Sequence, residues 1–400
     1  MKPIGQVKIG FLSTYYENIG DDFIRIGITH LLQKVMQKKT VIDHFSKSNR
    51  LSLYFRKSRF THAPRWQMGT FMKWLTDKIY FRLAGKIGNK TFYKRAKHID
   101  LFVIAGTPLF FFTKEKYTFL KNAFWPRQFF DIIKHDHPQK PVFAIGVGSI
   151  YTGEPDALAR QYAEEFHFMN DFYNTVQFCS FRDSKTGRLF QCALNNGKDD
   201  IKILPCPSIF SARHLGVVRN PENVSDQIVI SYSEESANSD TEKEKTIIQR
   251  RKALDVIVNQ LKVKGFPIVF FAHNKVDKEL HHQLAKKYPF VETLSGTSHD
   301  LLKTLSVFRM LITWRVHGAM GAASIGCPVL LFKTDSRSTS SELFNVEVID
   351  DRQLLPGQIN DKLISMLNQG VLMQQKNVET VDFWEQKYLE ELKVAMEPLD

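Results

Sequence analysis

Apolar runs of five to seven residues, each closed by a polar or glycine-bearing turn, alternate along the chain with stretches in which apolar positions recur every three to four residues. Val7 to Ser13 is such a run. A polar turn, Glu17-Asn18-Ile19-Gly20-Asp21-Asp22, follows, and then Phe23, Ile26, Ile28, Leu31, Leu32 and Val35 stand at helical spacing. The same order is expected at Leu101 to Ala105 before Gly106-Thr107, and at Pro141 to Ile145 before a loop Gly146-Val147-Gly148-Ser149. A helix from Ala157 to Phe168 comes next, then a strand Val176 to Phe181 closed by Arg182-Asp183-Ser184, with Asp183 as N-cap of a helix from Lys185. Beyond a polar stretch, His214 to Asp226, strands are predicted at Gln227 to Tyr232, Pro267 to Ala272, Arg309 to Trp314 and Pro328 to Phe332. Helices are predicted between them at Lys245 to Lys264, Lys278 to Lys287, Asp300 to Ser306 and Gly318 to Ile325, and an amphipathic helix at Val381 to Met396.

Strands and helices in alternation describe parallel sheets covered on both faces. The pattern therefore predicts an α/β protein of two Rossmann-like parallel-sheet domains facing a cleft. The boundaries are 1–213 for the first domain, 214–226 for a linker, 227–355 for the second domain and 356–400 for a helical tail. Ligands on such sheets bind outside the carboxyl ends of the strands, so the site is expected in the loops at those ends.

Charge changes this picture locally. The chain carries 55 Lys plus Arg against 42 Asp plus Glu, a net +13. Fourteen of those bases and one acid, Asp77, lie between Lys47 and Lys97, so the whole excess sits in that stretch and the remainder is neutral. This excludes a uniformly basic nucleic-acid coat. The stretch also holds Tyr54, Phe55, Phe60, Trp66, Phe71, Trp74, Tyr80, Phe81, Phe92 and Tyr93, the composition of an interfacial segment attracted to anionic lipid. RNA binding ranks second, since no nucleic-acid motif accompanies it. Four scattered cysteines, without C-x-x-C or zinc-finger spacing, indicate neither disulfides nor structural zinc and fit a reducing cytoplasm. His135-Asp136-His137 and His281-His282 lack ligand spacing and are expected in exposed stretches, so no metal is assigned.

At the end of the strand Arg309 to Trp314, Arg315 and His317 are expected to project to one side, an anion clamp beside a proton carrier. A capping histidine and a structural ion pair are the equal alternative. Arg182 holds the matching strand end in the first domain. The glycine loops follow neither the dinucleotide fingerprint nor the P-loop. His273 ends the strand Pro267 to Ala272.

Taken in order, these motifs resemble the polysaccharide pyruvyl transferase family. The similarity runs from about Val7 to Leu343 without the basic insert. It rests on Asn18-Ile19-Gly20-Asp21, Ile104-Ala105-Gly106-Thr107, Ile145-Gly146-Val147-Gly148, Phe181-Arg182-Asp183-Ser184 and Leu204-Pro205-Cys206-Pro207, and most specifically on Trp314-Arg315-Val316-His317-Gly318-Ala319 with Gly326-Cys327-Pro328-Val329 downstream. The resemblance implies a GT-B-like fold and transfer of the pyruvyl group of phosphoenolpyruvate to a glycan or lipid-linked oligosaccharide as a cyclic ketal, with release of phosphate. It implies no cofactor beyond phosphoenolpyruvate as donor. It implies Arg182 and Arg315 on the donor, His317 for proton transfer and Asp21 on the sugar. Asn18, Gly20, Gly106, Thr107, Gly146, Gly148, Ser149, His273 and Arg337 are expected around the substrates. Ala105 and Thr107 replace family glycines, and Cys206 stands where an aspartate is usual. A nucleotide-sugar glycosyltransferase and a silent glycan-binding protein are the alternatives. The expected location is cytoplasmic, peripheral to the inner face of the membrane through 47–97.

Overall fold

The computed structural model describes residues 6–13, 19–36, 39–46, 92–106, 108–112, 127–194, 201–234, 240–333, 336–344, 346–350 and 356–397. In chain order the first half contains β1 (Gln6–Ser13), α1 (Ile19–Met36), β2 (Lys39–Ser46), β3 (Leu101–Ala105), β4 (Pro108–Phe112), α2 (Arg127–Asp136), β5 (Val142–Tyr151), α3 (Pro155–Gln161), α4 (Ala163–Thr175), β6 (Phe178–Phe181), α5 (Ser184–Ala193) and α6 (Ser211–Leu215). The second half follows with β7 (Ile228–Ser231), α7 (Asp240–Val263), β8 (Ile268–Ala272), α8 (Lys275–Lys287), β9 (Glu292–Ser295), α9 (Ser298–Val307), β10 (Met310–Thr313), α10 (Val316–Ser324), β11 (Val329–Lys333), β12 (Glu347–Asp350) and α11 (Pro356–Met396).

Among the described residues every strand pair is parallel. The first sheet runs β2-β1-β3-β5, with both β4 and β6 on β5, and the second runs β12-β11-β10-β7-β8-β9. In the second sheet the order reverses between β7 and β10, a topological switch point where helices leave on opposite faces and open a crevice. Buried strands of this kind need apolar residues on both faces, and β3, β5, β7, β8 and β10 are buried throughout.

The expected loop Gly146-Val147-Gly148-Ser149 is not a loop. β5 continues through it to Tyr151, and Gly146, at φ +66°, makes an irregularity at which the strand changes partners. Its first part pairs with β6 and its last part with β4. A non-glycine residue resists that positive φ, and the shift turns the outgoing strand as a bulge does. The expected helix Ala157 to Phe168 is likewise two helices, α3 and α4, divided at Tyr162.

The halves share one core. Phe23 of α1 packs on Gly321 of α10, and a continuous buried cluster joins Ile9, Phe11 and Phe23 to Met320, Leu311 and Val329. Gly27 of α1 lies so near the loop before α6 that a Cβ there would stand 1.8 Å from the Pro207 carbonyl oxygen. The tail is longer than its apolar spacing indicates. Its 41-residue helix α11 buries Ile359, Leu363 and Met366 in the second half, and Val381, Tyr388 and Leu392 in the shared core. Tyr388 Oη donates to the Pro205 carbonyl at 2.7 Å. Glu385 pairs with His30, Lys34 and Arg213, fastening α11 to α1 and α6.

Of the basic aromatic insert, 47–91 lies outside the described residues. Its last turn is rooted in the first half: Phe92 is buried 4.8 Å from the Phe45 ring, and Arg95 covers Phe45 and pairs with Asp43. Among the described residues no helix is long and apolar enough to cross a membrane.

Candidate active site

β6 ends at Phe181, and Arg182 beyond it is fully buried. Its backbone N–H donates to the Val147 carbonyl at 3.1 Å, which fixes where the side chain starts. The guanidinium then crosses Gly148 so closely that a Cβ there would stand 2.4 Å from Nε. Nη1 donates to the Gly106 carbonyl at 3.0 Å. Gly106 has no room either, since its Cβ would lie 2.0 Å from the Gly146 oxygen. Gly148 is therefore required by sterics under Arg182, Gly106 against the Gly146 carbonyl, and Gly146 by its positive φ and by Pro207, whose Cδ would stand 2.5 Å from a Cβ.

Asp183 does not neutralise this cation fully. Its Oδ1 accepts from the Thr186 N–H at 2.7 Å as the N-cap of α5, as expected, and its Oδ2 accepts from Ser340 Oγ at 3.2 Å, leaving 3.7 Å to Arg182 Nε. Among the described residues Nε and Nη2 of Arg182 have no hydrogen-bond partner. A buried charged donor without a hydrogen bond costs roughly 1–3 kcal/mol or more.

The opposite wall comes from the second half. Arg315 N–H donates to Thr313 Oγ1 at 2.9 Å, and Arg315 is the N-cap of α10. The helix thus begins at Val316, and Arg315 and His317 do not project as alternate residues of one extended strand. His317 turns toward the first half, where its Nε2 lies 3.2 Å from Arg182 Nη1. Its Nδ1 edge covers Gly20, whose Cβ would stand 2.7 Å away. A guanidinium only donates, so this contact assigns Nε2 as the acceptor and the proton to Nδ1. Arg315 turns the other way. Its Nε and Nη2 donate to Asp277 at 3.1 and 2.6 Å in a bidentate fork. Asp277 is buried in the first turn of α8, its N–H accepted by Asn274 Oδ1 at 2.8 Å. Arg315 thus makes the ion pair that was the alternative to an anion clamp.

His273, at the end of β8, is buried with its ring on Gly318, where a Cβ would stand 2.6 Å from Cε1. Its carbonyl accepts from the Ile19 N–H at 3.3 Å, bringing the start of α1 onto the second sheet. Burial, then the charges of Arg315 and His281, push its imidazole down to about 3. Asp21 stands in the first turn of α1 beside Gly20. Ser149 is drawn away from the site, its N–H and hydroxyl both meeting Thr186 Oγ1 at 3.0 and 3.1 Å. Cys206, buried, accepts from Ser208 Oγ at 3.2 Å. Arg337 belongs to the 3-10 turn Ser336–Ser341, while Asn18 and Thr107 lie outside the described residues. His137 and His281, expected at the surface, are buried, His281 bonding the Tyr232 carbonyl at 2.9 Å. The residue that sequence reasoning missed is Asp277; its signal was an Asn three residues before an Asp at a strand end, the pattern of a capped helix start.

Arg182, His317 and the start of α1 thus meet across the seam between the halves, a buried guanidinium touching an imidazole. The family model for polysaccharide pyruvyl transferase matches residues 18–336, a span that includes all of these groups. The chain belongs to that family.

No curated protein sequence matches this pyruvyl transferase family member. Its fold is GT-B-like and is shared with solved structures. One is a UDP-N-acetylglucosamine 2-epimerase from Listeria monocytogenes, 12% identical, covering 99% of this chain and 98% of that one at a TM-score of 0.53. Another is MnaA of S. aureus solved with UDP, 10% identical, covering 98% and 97% at 0.54. At such identities the likeness is one of fold alone.

Proposed function

We propose that this transferase takes the pyruvyl group of phosphoenolpyruvate and sets it as a cyclic ketal across two hydroxyls of a glycan, releasing phosphate. The observation that supports this most is the buried Arg182 guanidinium, with Nε and Nη2 not hydrogen-bonded to any described residue and Nη1 3.2 Å from His317 Nε2. Phosphoenolpyruvate carries a carboxylate and a phosphate, either of which fits a planar donor fork.

The Arg182 N–H occupies the lone pair of His317. An oxyanion that binds the guanidinium competes for that N–H and frees Nε2 as a base. His317 then takes the proton of one sugar hydroxyl and delivers it to the methylene carbon of the donor, which becomes the methyl group. The hydroxyl oxygen bonds to the central carbon of the donor. The bond from that carbon to the phosphate oxygen breaks as the second hydroxyl adds, and the second hydroxyl proton leaves with the phosphate. Two hydroxyls and one enol phosphate thus give one ketal and one hydrogen phosphate, with charge conserved. General acid–base transfer of this kind contributes about 10²–10⁴-fold. Asp21, in the first turn of α1, is the group we place nearest the sugar.

The composition of 47–97 supports an acceptor presented at an anionic membrane surface, such as a lipid-linked oligosaccharide at the cytoplasmic face. The experiment is phosphate release from phosphoenolpyruvate with candidate glycans, run beside nucleotide sugars. Carbon label from the donor recovered in an acid-labile glycan ketal supports the reading, and sugar transfer from a nucleotide donor refutes it.

A further inference from the structure

The end of β8 carries a second imidazole that this proton traffic leaves unused. His273 is 3% exposed, and neither Nδ1 nor Nε2 has a hydrogen-bond partner among the described residues. Buried polar side chains are normally satisfied, so two open positions on one ring need a reason. The ring is held where a substrate group is expected. Ile19, which donates to the His273 carbonyl, precedes the glycine that underlies His317, and Gly318, which carries the His273 ring, follows His317.

The chemistry of the ring decides what completes it. Burial and the neighbouring Arg315 and His281 keep it neutral through the physiological range. A neutral imidazole has one N–H and one lone pair. An oxyanion only accepts, so it satisfies the N–H and leaves the lone pair empty. A hydroxyl both donates and accepts, so it can satisfy either form of the nitrogen it reaches. The charged, doubly open receptor is Arg182 on the first half; the neutral, doubly open one is His273 on the second.

We infer that His273 hydrogen-bonds the hydroxyls of the acceptor sugar, so that the sugar seats on the second half and the anionic donor on the first. This rests on the pyruvyl-transfer reading for the identity of the donor, but not for the sugar contact itself. It makes His273 a specificity residue for a neutral diol.

The test observes His273 directly, by NMR of the full chain grown with nitrogen-labelled histidine and assigned with His273→Gln. Methyl glycosides of galactose, glucose and mannose are titrated, then their benzylidene acetals, in which the diol is blocked, and then phosphoenolpyruvate alone. The expected result is a shift of both His273 ring nitrogens with at least one open glycoside, none with its acetal and none with phosphoenolpyruvate. In His273→Leu the glycoside should bind about tenfold more weakly, the loss of one hydrogen bond, with phosphoenolpyruvate affinity unchanged. A response to phosphoenolpyruvate instead, an equal response to the blocked sugars, or no response to any open glycoside overturns the inference. If phosphoenolpyruvate fails to bind the wild-type chain by calorimetry, the donor assignment falls while the glycoside titration still decides His273.

Discussion

Gly148→Ala adds a single methyl group to β5, directly under the guanidinium of Arg182. The new Cβ would stand 2.4, 2.6 and 2.7 Å from Nε, Cζ and Nη2, whereas ordinary contact begins near 3.4 Å. The guanidinium must therefore lift by about 1 Å, and it cannot do so while keeping Nη1 on the Gly106 carbonyl and beside His317 Nε2. Overpacking of this size costs about 1–3 kcal/mol in stability. A misplacement of about 1 Å at a reacting group costs roughly 10²-fold in rate. The expected outcome is a loss of about 100-fold in kcat/KM for phosphate release with a modest fall in the urea midpoint, while Gly357→Ala, which meets nothing within 4 Å, leaves both intact. Urea denaturation and a continuous phosphate assay read the two effects separately. Turnover within threefold of wild type in a well-folded Gly148→Ala protein would refute the role given to Arg182.

Other variants probe the remaining contacts. Arg182→Met should abolish turnover and lower the urea midpoint, because it leaves the buried Asp183 carboxylate without the cation 3.7 Å away and the Gly106 carbonyl without its donor; an unchanged midpoint speaks against those contacts. Asp277→Ala should destabilise the chain by about 1–3 kcal/mol by removing the carboxylate that accepts two N–H groups of Arg315, and Arg315→Met in the same chain should recover part of that loss, as a double-mutant cycle in urea would measure. At Glu385, burial raises the carboxyl, but hydrogen bonds from His30 and Lys34 and the charge of Arg213 outweigh it and bring it down to about 2. A depressed carboxylate stabilises the fold above its unfolded value and loses that contribution as the pH falls toward 2. Glu385→Gln should therefore flatten the decline of the urea midpoint between about pH 4.5 and 3, and an unchanged slope would count against the clamp.

The alternation of apolar runs was enough to place β1, β3, β6, β8 and β11, because strands buried on both faces cannot avoid a continuous apolar sequence. β2, β9 and β12 escaped because each is an edge strand, paired on one side only, with polar residues such as Lys39, Asp43, Glu292 and Glu347 within it. β4 is hidden by Pro108, which reads as a breaker but sits at the first residue of a strand paired only with β5, where proline is tolerated. Gly146-Val147-Gly148 reads as a loop because glycine density is a turn signal; only the backbone angles reveal a strand that bends and continues. Arg182 and His317 were visible as chemistry at strand ends, yet their meeting was not, since 135 residues separate them. The partner of Arg315 lies 38 residues upstream, and no spacing rule links the two.

The most direct measurement is calorimetric titration of phosphoenolpyruvate into the wild-type chain and into Arg182→Met. One site per chain in the wild type, competed by inorganic phosphate and lost in Arg182→Met, is the predicted result. No binding to the wild type, or equal binding to both, would contradict the assignment of Arg182 as the receptor for the donor.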